Sequence, residues 1–171
     1  MKSTDPHFQK FIQQFWTELT ALHQHPAENI LLLMCASYSE DLSTEPCLVY
    51  QYMPNGSVHD WLYKPGRKLT WLQRCNIARG KTFHIYNKTL LKSQLSIVGT
   101  AKGLNHLHTN AGIVHGDIKS GNILLDKNME PKIGDFGLAR EGPARECKSH
   151  ITVSTLVGTA GYLPDEYLRL K

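Results

Sequence analysis

Apolar residues recur every three to four positions near the start of the chain, where Phe8, Ile12, Phe15, Leu19 and Leu22 fall on one helical face. Asp5 supplies an N-cap and Pro6 a φ suited to the first turn, so an amphipathic helix is predicted from there. The polar stretch HQHPAEN ends it. Two unbroken apolar runs follow, residues 30–35 and 47–53, separated by SEDLSTEP, and such runs bounded by turn residues read as buried strands. Pro54-Asn55-Gly56 closes the second run. Ser57 is placed to cap a short helix through Tyr63, and Thr70 to cap a longer one from Trp71 to near His108, with KPGRK between them. Beyond it the elements shorten. Residues 123–125 and 132–133 read as brief strands joined by DKNMEP, a doubling back that returns Asp135 to the neighbourhood of Asn122. From 138 to 159 periodicity gives way to Gly, Pro, Ser, Thr and charge, the pattern of a long surface loop.

One segment breaks this order. With residues 81–99 left out, WLQRCNIARG joins TAKGLNHLH as one helix carrying Ala78, Ala101, Leu104 and Leu107 on one face. Run straight through, the extra residues turn the downstream half by roughly 100° and move its apolar stripe off the core. Looped out, they cost about (3/2)RT ln 19, or roughly 2.6 kcal/mol plus a constant. Looping out is the milder outcome. The segment lacks proline and places Phe83, Tyr86, Leu90, Leu91, Leu95 and Val98 at near-helical spacing, so a helical excursion stays open. Its ends also suit a translated intron in frame, Gly80-Lys81 over a GTAAG donor and Val98-Gly99 over a TAG acceptor, with a lineage-specific surface insertion as the equal alternative.

Composition narrows the class by exclusion. Nineteen basic against fifteen acidic residues leave a net charge of +4 without a basic run, so no nucleic-acid groove is expected. The four cysteines, Cys35, Cys47, Cys75 and Cys147, lack CxxC spacing, which speaks against a zinc cage or disulfide framework and for reduced, mostly buried thiols in a cytoplasmic protein. No signal peptide opens the chain, and its longest apolar run, 30–36, is too short to cross a bilayer. The sequons at Asn55 and Asn87 carry no weight in that setting. A length of 171 residues fits one domain or part of one.

The candidate chemistry lies between His115 and Gly137, in VHGDIKSGNILLD followed by KIGDFG. Phosphoryl transfer asks for metal-held phosphates, a positioned hydroxyl and cancellation of spreading negative charge. Asp117 can accept a proton from an acceptor hydroxyl, and Lys119, on the same side of an extended loop, can neutralise the transferred phosphate. Asn122 and Asp135 offer the hard oxygens that magnesium prefers. His106, His108 and His115 cluster in sequence, yet His106 and His108 are two apart on a helix and face different ways, so a histidine metal site is not expected.

HGDIKSGN, DFG and GTAGYLPDE, in that order, resemble the catalytic loop, metal-binding triplet and activation-segment end of the eukaryotic protein kinases. The resemblance implies an α+β fold, a partial bilobal kinase domain over 1–171. Residues 1–53 would form an incomplete N-lobe and hinge strand, and 54–171 a partial C-lobe with 81–99 as an atypical insertion. It implies ATP and Mg2+ as cofactors, Asp117, Lys119, Asn122 and Asp135 as the catalytic set, and Asn122 and Asp135 as the metal ligands. Glu18 matches the helix glutamate that pairs with a strand lysine, and Leu22 a spine position that packs against Phe136 and His115. CLVYQYMPNGS resembles a hinge, with Tyr50 as gatekeeper and the backbone of Gln51 and Met53 meeting adenine. Tyr52 and Ser57 would stand beside the nucleotide, Leu124 under the ring, and Gly121 with Lys119, Asn122 and Asp135 around the phosphates. Thr159 would position Asp117 and the acceptor, and with Lys119 it is similar to serine/threonine rather than tyrosine kinases.

Among kinases, the tyrosine gatekeeper, YMPNGS, HGDIKSGNILLD and PKIGDFGLAREGP resemble the Pelle and interleukin-receptor-associated kinase group, with plant receptor-like kinases as near relatives. That implies a cytoplasmic kinase beneath Toll-type or developmental receptors, with protein substrates and receptor-complex adaptors as partners. Gly116 departs from the family arginine that reads a phosphorylated activation loop, so phosphates on Ser149, Thr152, Ser154 or Thr155 would need other cations, Arg140 or Arg145. Asp165 replaces the family proline, while Glu166 stays in register to anchor the segment. The 171 residues hold no GxGxxG and no strand lysine before the first helix, so little transfer activity is expected. The alternative is a non-catalytic, kinase-like binding piece.

Overall fold

The computed structural model describes residues 5–39, 44–79, 99–142, 158–159 and 161–163. Helix α1 spans Pro6–Gln24, and the Asp5 carboxylate accepts from the His7 amide at 2.9 Å, the cap that Asp5-Pro6 predicts. Its inner face buries Phe15, Ala21 and Leu22. Strands β1, Leu33–Ser37, and β2, Cys47–Tyr50, pair antiparallel with Leu33 opposite Tyr50 and Ser37 opposite Cys47.

The first apolar run does not make one strand. Its leading residues lie along a different partner: the Leu31 amide donates to the Ile133 carbonyl at 2.8 Å, and the Ile133 amide to the Asn29 carbonyl at 2.9 Å. Asn29 is buried there and donates its carboxamide to the Pro131 carbonyl at 3.0 Å. Only the rear of the run pairs with β2. The expectation of buried strands is corrected as well, since Leu32, Met34 and Val49 are exposed. Among the described residues β1 and β2 form a two-stranded sheet, which leaves strand surface uncovered. For the same reason Cys35 and Cys47 are exposed instead of forming buried thiols; Cys75, which lies elsewhere, is half-buried.

Ser57 caps α2, Val58–Tyr63, through a reciprocal box in which its amide donates to the Asp60 carboxylate at 2.8 Å and the Asp60 amide to its hydroxyl at 3.3 Å. Thr70 and Gln73 make the equivalent exchange at the start of α3, Trp71–Arg79. Helix α4, Gly99–Asn105, widens into a π-helical stretch over His106–Ala111, so helical structure outlasts His108 by three residues. At the junction of α3 and α4 the Thr100 hydroxyl donates to the Ile77 carbonyl at 3.0 Å.

Three short strand pairs complete the described architecture, counting β1–β2. Strand β3, Ile113–Val114, pairs with β6, Arg140–Glu141. Strand β4, Ile123–Leu125, pairs with β5, Pro131–Ile133, across a turn in which Asp126 accepts the amides of Asn128 and Glu130 at 2.8 and 2.9 Å. The core gathers Leu22, Ile30, Leu107, Leu125, Ile133 and Phe136, the last four at 0% exposure. Helix α4 reaches it because residue 103 is glycine: a Cβ there would lie 2.7 Å from Ile133 Cδ1 and 3.0 Å from the Asn29 carbonyl. No described helix is long and apolar enough to cross a membrane.

Candidate active site

Between β3 and β4 the chain turns through residues 115–122 and presents Asp117. Its carboxylate is held from both sides. Thr159 donates to Oδ1 through its amide at 2.9 Å and its hydroxyl at 2.6 Å, while Lys119 Nζ meets Oδ2 at 2.5 Å and the Thr159 hydroxyl at 2.9 Å. Asn122, buried beside them, donates Nδ2 to the Asp117 carbonyl at 2.9 Å and to Oδ2 at 3.3 Å. Burial on its own would raise the Asp117 pKa, but the bonds from Lys119 and Thr159 outweigh it and hold the carboxyl below its ordinary range. The group is therefore a carboxylate at neutral pH.

His115 supports this loop from beneath. Its Nδ1 accepts the Asp117 amide at 3.2 Å, so its Nε2 carries the proton and donates to the Gly134 carbonyl at 3.0 Å. Burial pushes the His115 pKa down, which keeps the ring in that neutral form. The ring stands edge-on to Phe136 at 4.6 Å, and Phe136 shares the buried core with Leu22. Gly116 has φ +84, and a Cβ there would come within 2.5 Å of the Leu138 carbonyl oxygen. No side chain fits at that position, arginine included.

The β4–β5 hairpin delivers Asp135. The Gly134 amide donates to the Asn122 carbonyl at 2.9 Å, so residue 135 follows directly on a backbone contact with 122. Asp135 adopts φ +62, a left-handed conformation uncommon for a non-glycine residue. With Glu18, Tyr50, Phe15, Leu48 and Gly137 it lines a cleft of about 380 Å³ between α1 and β2. Within it the Glu18 carboxylate faces the Tyr50 hydroxyl and the Phe136 backbone. Burial pushes the Glu18 carboxyl up although both neighbours favour its charged form, and the Asp135 charge adds to the rise. The Tyr50 hydroxyl is raised too, by burial and then by its bond to Glu18, so it stays a proton donor.

The hinge residues are spread differently. Met53 is buried, whereas Gln51 and Tyr52 are exposed. The Gln51 amide is already engaged with the Leu32 carbonyl at 3.0 Å, and the Ser57 hydroxyl is engaged in its helix cap. Leu124 is half-buried on β4, bridged to Ser57, and Gly121 sits close to the Lys119 side chain. Glu166, Ser149, Thr152, Ser154, Thr155 and Arg145, with Cys147 and residues 81–98, lie outside the described residues. The sequence reading missed Ser120 and Tyr162, whose hydroxyls meet at 2.8 Å. Nothing local links two residues so far apart; only the polar run containing Ser120 hinted at it.

The arrangement suits proton acceptance at Asp117 beside a fixed cation, with further oxygens from Asn122 and Asp135 close by. The chain is 40% identical over 167 residues to the Pelle-like serine/threonine-protein kinase pik-1 of Caenorhabditis elegans, covering 94% of this chain and 30% of that protein. It is 39% identical over 163 residues to the serine/threonine-protein kinase pelle of Drosophila melanogaster, covering 91% and 28%. It is 34% identical over 172 aligned positions to the receptor-like protein kinase HERK 1 of Arabidopsis thaliana, covering 99% and 18%. The chain thus spans less than a third of the length of these curated relatives. Both groups that the motifs resemble, Pelle-like and plant receptor-like kinases, are represented. The family model described as the protein kinase domain matches residues 1–171, and the chain belongs to that family.

Proposed function

We propose that this chain carries the catalytic-loop side of a serine/threonine protein kinase of the Pelle-like group, which transfers the γ-phosphate of ATP to protein hydroxyls beneath Toll-type receptors in the cytoplasm. The supporting observation is the grip on Asp117: Thr159, 42 positions away, donates twice to one carboxylate oxygen while Lys119 holds the other. In this reading Asp117 takes the proton of the acceptor hydroxyl, and Lys119 balances charge on the moving phosphate. Thr159 sets the acceptor beside both, which favours serine and threonine.

The donor set fits a hard cation. With Asn122 Nδ2 committed to Asp117, the atom Asn122 offers outward is its carboxamide oxygen, and Asp135 adds a carboxylate. Asn122 and Asp135 would hold Mg2+, which when bound neutralises phosphate charge. For adenine, the engaged Gln51 amide leaves the Gln51 carbonyl as that residue's contribution, with Met53 next to it, Leu124 below and Tyr50 behind. Receptor-complex adaptors and protein substrates are the partners this role requires.

A second reading, a non-catalytic binding piece, draws on Glu18. Its carboxyl sits beside Tyr50 and Phe136, and burial pushes it above its usual pKa range, which favours a hydrogen-bonding role over an ion pair. On the kinase reading too, these 171 residues transfer little phosphate by themselves. A radiolabelled-phosphate assay on the 1–171 chain tests that: robust transfer abolished by Asp117→Ala overturns the expectation of little activity. A Mg-ATP thermal shift supports the kinase reading. Absence of transfer, with receptor-complex capture that survives Asp135→Asn and no Mg-ATP thermal shift, supports the binding piece.

A further inference from the structure

The described residues 158–159 and 161–163 are fastened to the Asp117 loop at a second point for which the phosphoryl-transfer reading has no use. Ser120 Oγ lies 2.8 Å from the Tyr162 hydroxyl. His59 Nδ1, from α2, stands 3.5 Å from the same Oγ, at the outer limit of a hydrogen bond, and its ring rests on Tyr63 with centroids 4.5 Å apart. Tyr162 is also tied back within its own strip, its amide donating to the Thr159 carbonyl at 3.1 Å. Thr159 and Tyr162 are therefore the two ends of one turn. Each end bonds a different residue of the same loop, Thr159 on Asp117 and Lys119, Tyr162 on Ser120.

A turn held at one end can pivot about that contact, whereas two contacts fix its orientation, and small misplacements of a reacting group are costly. We propose that Ser120 and Tyr162, backed by His59, are positioning residues: their hydroxyl pair orients the Thr159–Tyr162 turn and so keeps Thr159 on the Asp117 carboxylate. Its consequence for acceptor placement rests on the kinase reading of Asp117, while the geometric claim does not. The two hydroxyls act through Thr159 and take no part in the chemistry.

The test uses the 15N-labelled 1–171 chain and reads the Thr159 amide, which reports its bond to Asp117. Asp117→Asn marks the resonance position without carboxylate charge. In Ser120→Ala and in Tyr162→Phe the Thr159 resonance moves toward that mark, and its hydrogen exchange quickens by about three- to tenfold, the equivalent of one ordinary hydrogen bond. The double variant adds nothing further, because both changes remove the same bond. Ser120→Thr, which keeps a hydroxyl, retains the original resonance and exchange. The bond is probed from both ends, so one folded variant suffices. An unmoved Thr159 amide in either single variant, additive losses in the double variant, or a Ser120→Thr chain that behaves as Ser120→Ala overturns the proposal. These readouts need no turnover, so their failure is distinguishable from a failed phosphate-transfer assay.

Discussion

Deleting residues 81–99 is expected to stabilise the protein. Helix α3 stops at Arg79 and α4 opens at Gly99, and at their junction Thr100 Oγ1 donates to the Ile77 carbonyl at 3.0 Å. After the deletion Thr100 stands four positions beyond Ile77, the spacing at which a helical threonine hydroxyl reaches back to a carbonyl. Gly80 then takes the place of Gly99, so the residue before Thr100 is unchanged. One side-chain contact that an unbroken helix would make is thus already present where α3 meets α4. What the deletion removes is the cost of closing a nineteen-residue excursion, about 2.6 kcal/mol from (3/2)RT ln n. That is large against a domain stability of roughly 5–15 kcal/mol. Urea unfolding of the two chains, followed by circular dichroism and by the fluorescence of Trp16, Trp61 and Trp71, measures it. With a slope of about 2 kcal/mol/M, the midpoint rises by about 1 M. An equal or lower midpoint in the shortened chain would refute the reasoning, because the segment would then stabilise the fold by at least what its closure costs.

Further outcomes follow from the core and the Asp117 loop. Leu107→Ala empties a side chain with 0% exposure in the π-helical stretch that follows α4, and urea unfolding should show a loss of about 2–5 kcal/mol. Gly116→Arg, which restores the arginine common in the family, places a side chain at φ +84 and 2.5 Å from the Leu138 carbonyl. It should destabilise by about 1–3 kcal/mol or more, and a neutral result would show that the loop relaxes freely. Acidification supplies the last. His115 has a folded pKa below its ordinary value of about 6.5, so between the two values the unfolded chain binds more protons and stability falls as pH drops through that interval. Asp117, also depressed, contributes stability that is complete above its ordinary pKa and is lost as pH falls toward its lower folded value. Glu18, whose carboxyl is raised, works the opposite way on acidification, so the check is a difference: urea midpoints between pH 8 and 5 should fall more steeply in the parent chain than in His115→Gln, and equal slopes contradict the assignment.

Several features were legible from local sequence because their physics is local. Asp5-Pro6 and Ser57 with Asp60 mark helix starts, since a cap acts over three residues. The β4–β5 hairpin announces itself through its turn, and with it the return of the chain toward Asn122. The order of HGDIKSGN, DFG and GTAGYLPDE carried the family. The division of residues 30–35 between two partners was not legible, because an apolar run states that it will be covered and not by what.

By itself, the sequence determined which residues are available for phosphoryl-transfer chemistry, the order in which they occur, and where most helices and strands begin. The tertiary structure decided how they are satisfied. Glu18 comes to lie beside Tyr50 and Phe136, Gly116 proves to be sterically required beneath Leu138, and Thr159 and Tyr162 clasp the loop around Asp117 from some forty positions away. Caps and turns are set by neighbours a few bonds distant. These contacts exist only once burial of Leu22, Leu107, Leu125, Ile133 and Phe136 in one core brings remote segments together, and no short-range pattern encodes that approach.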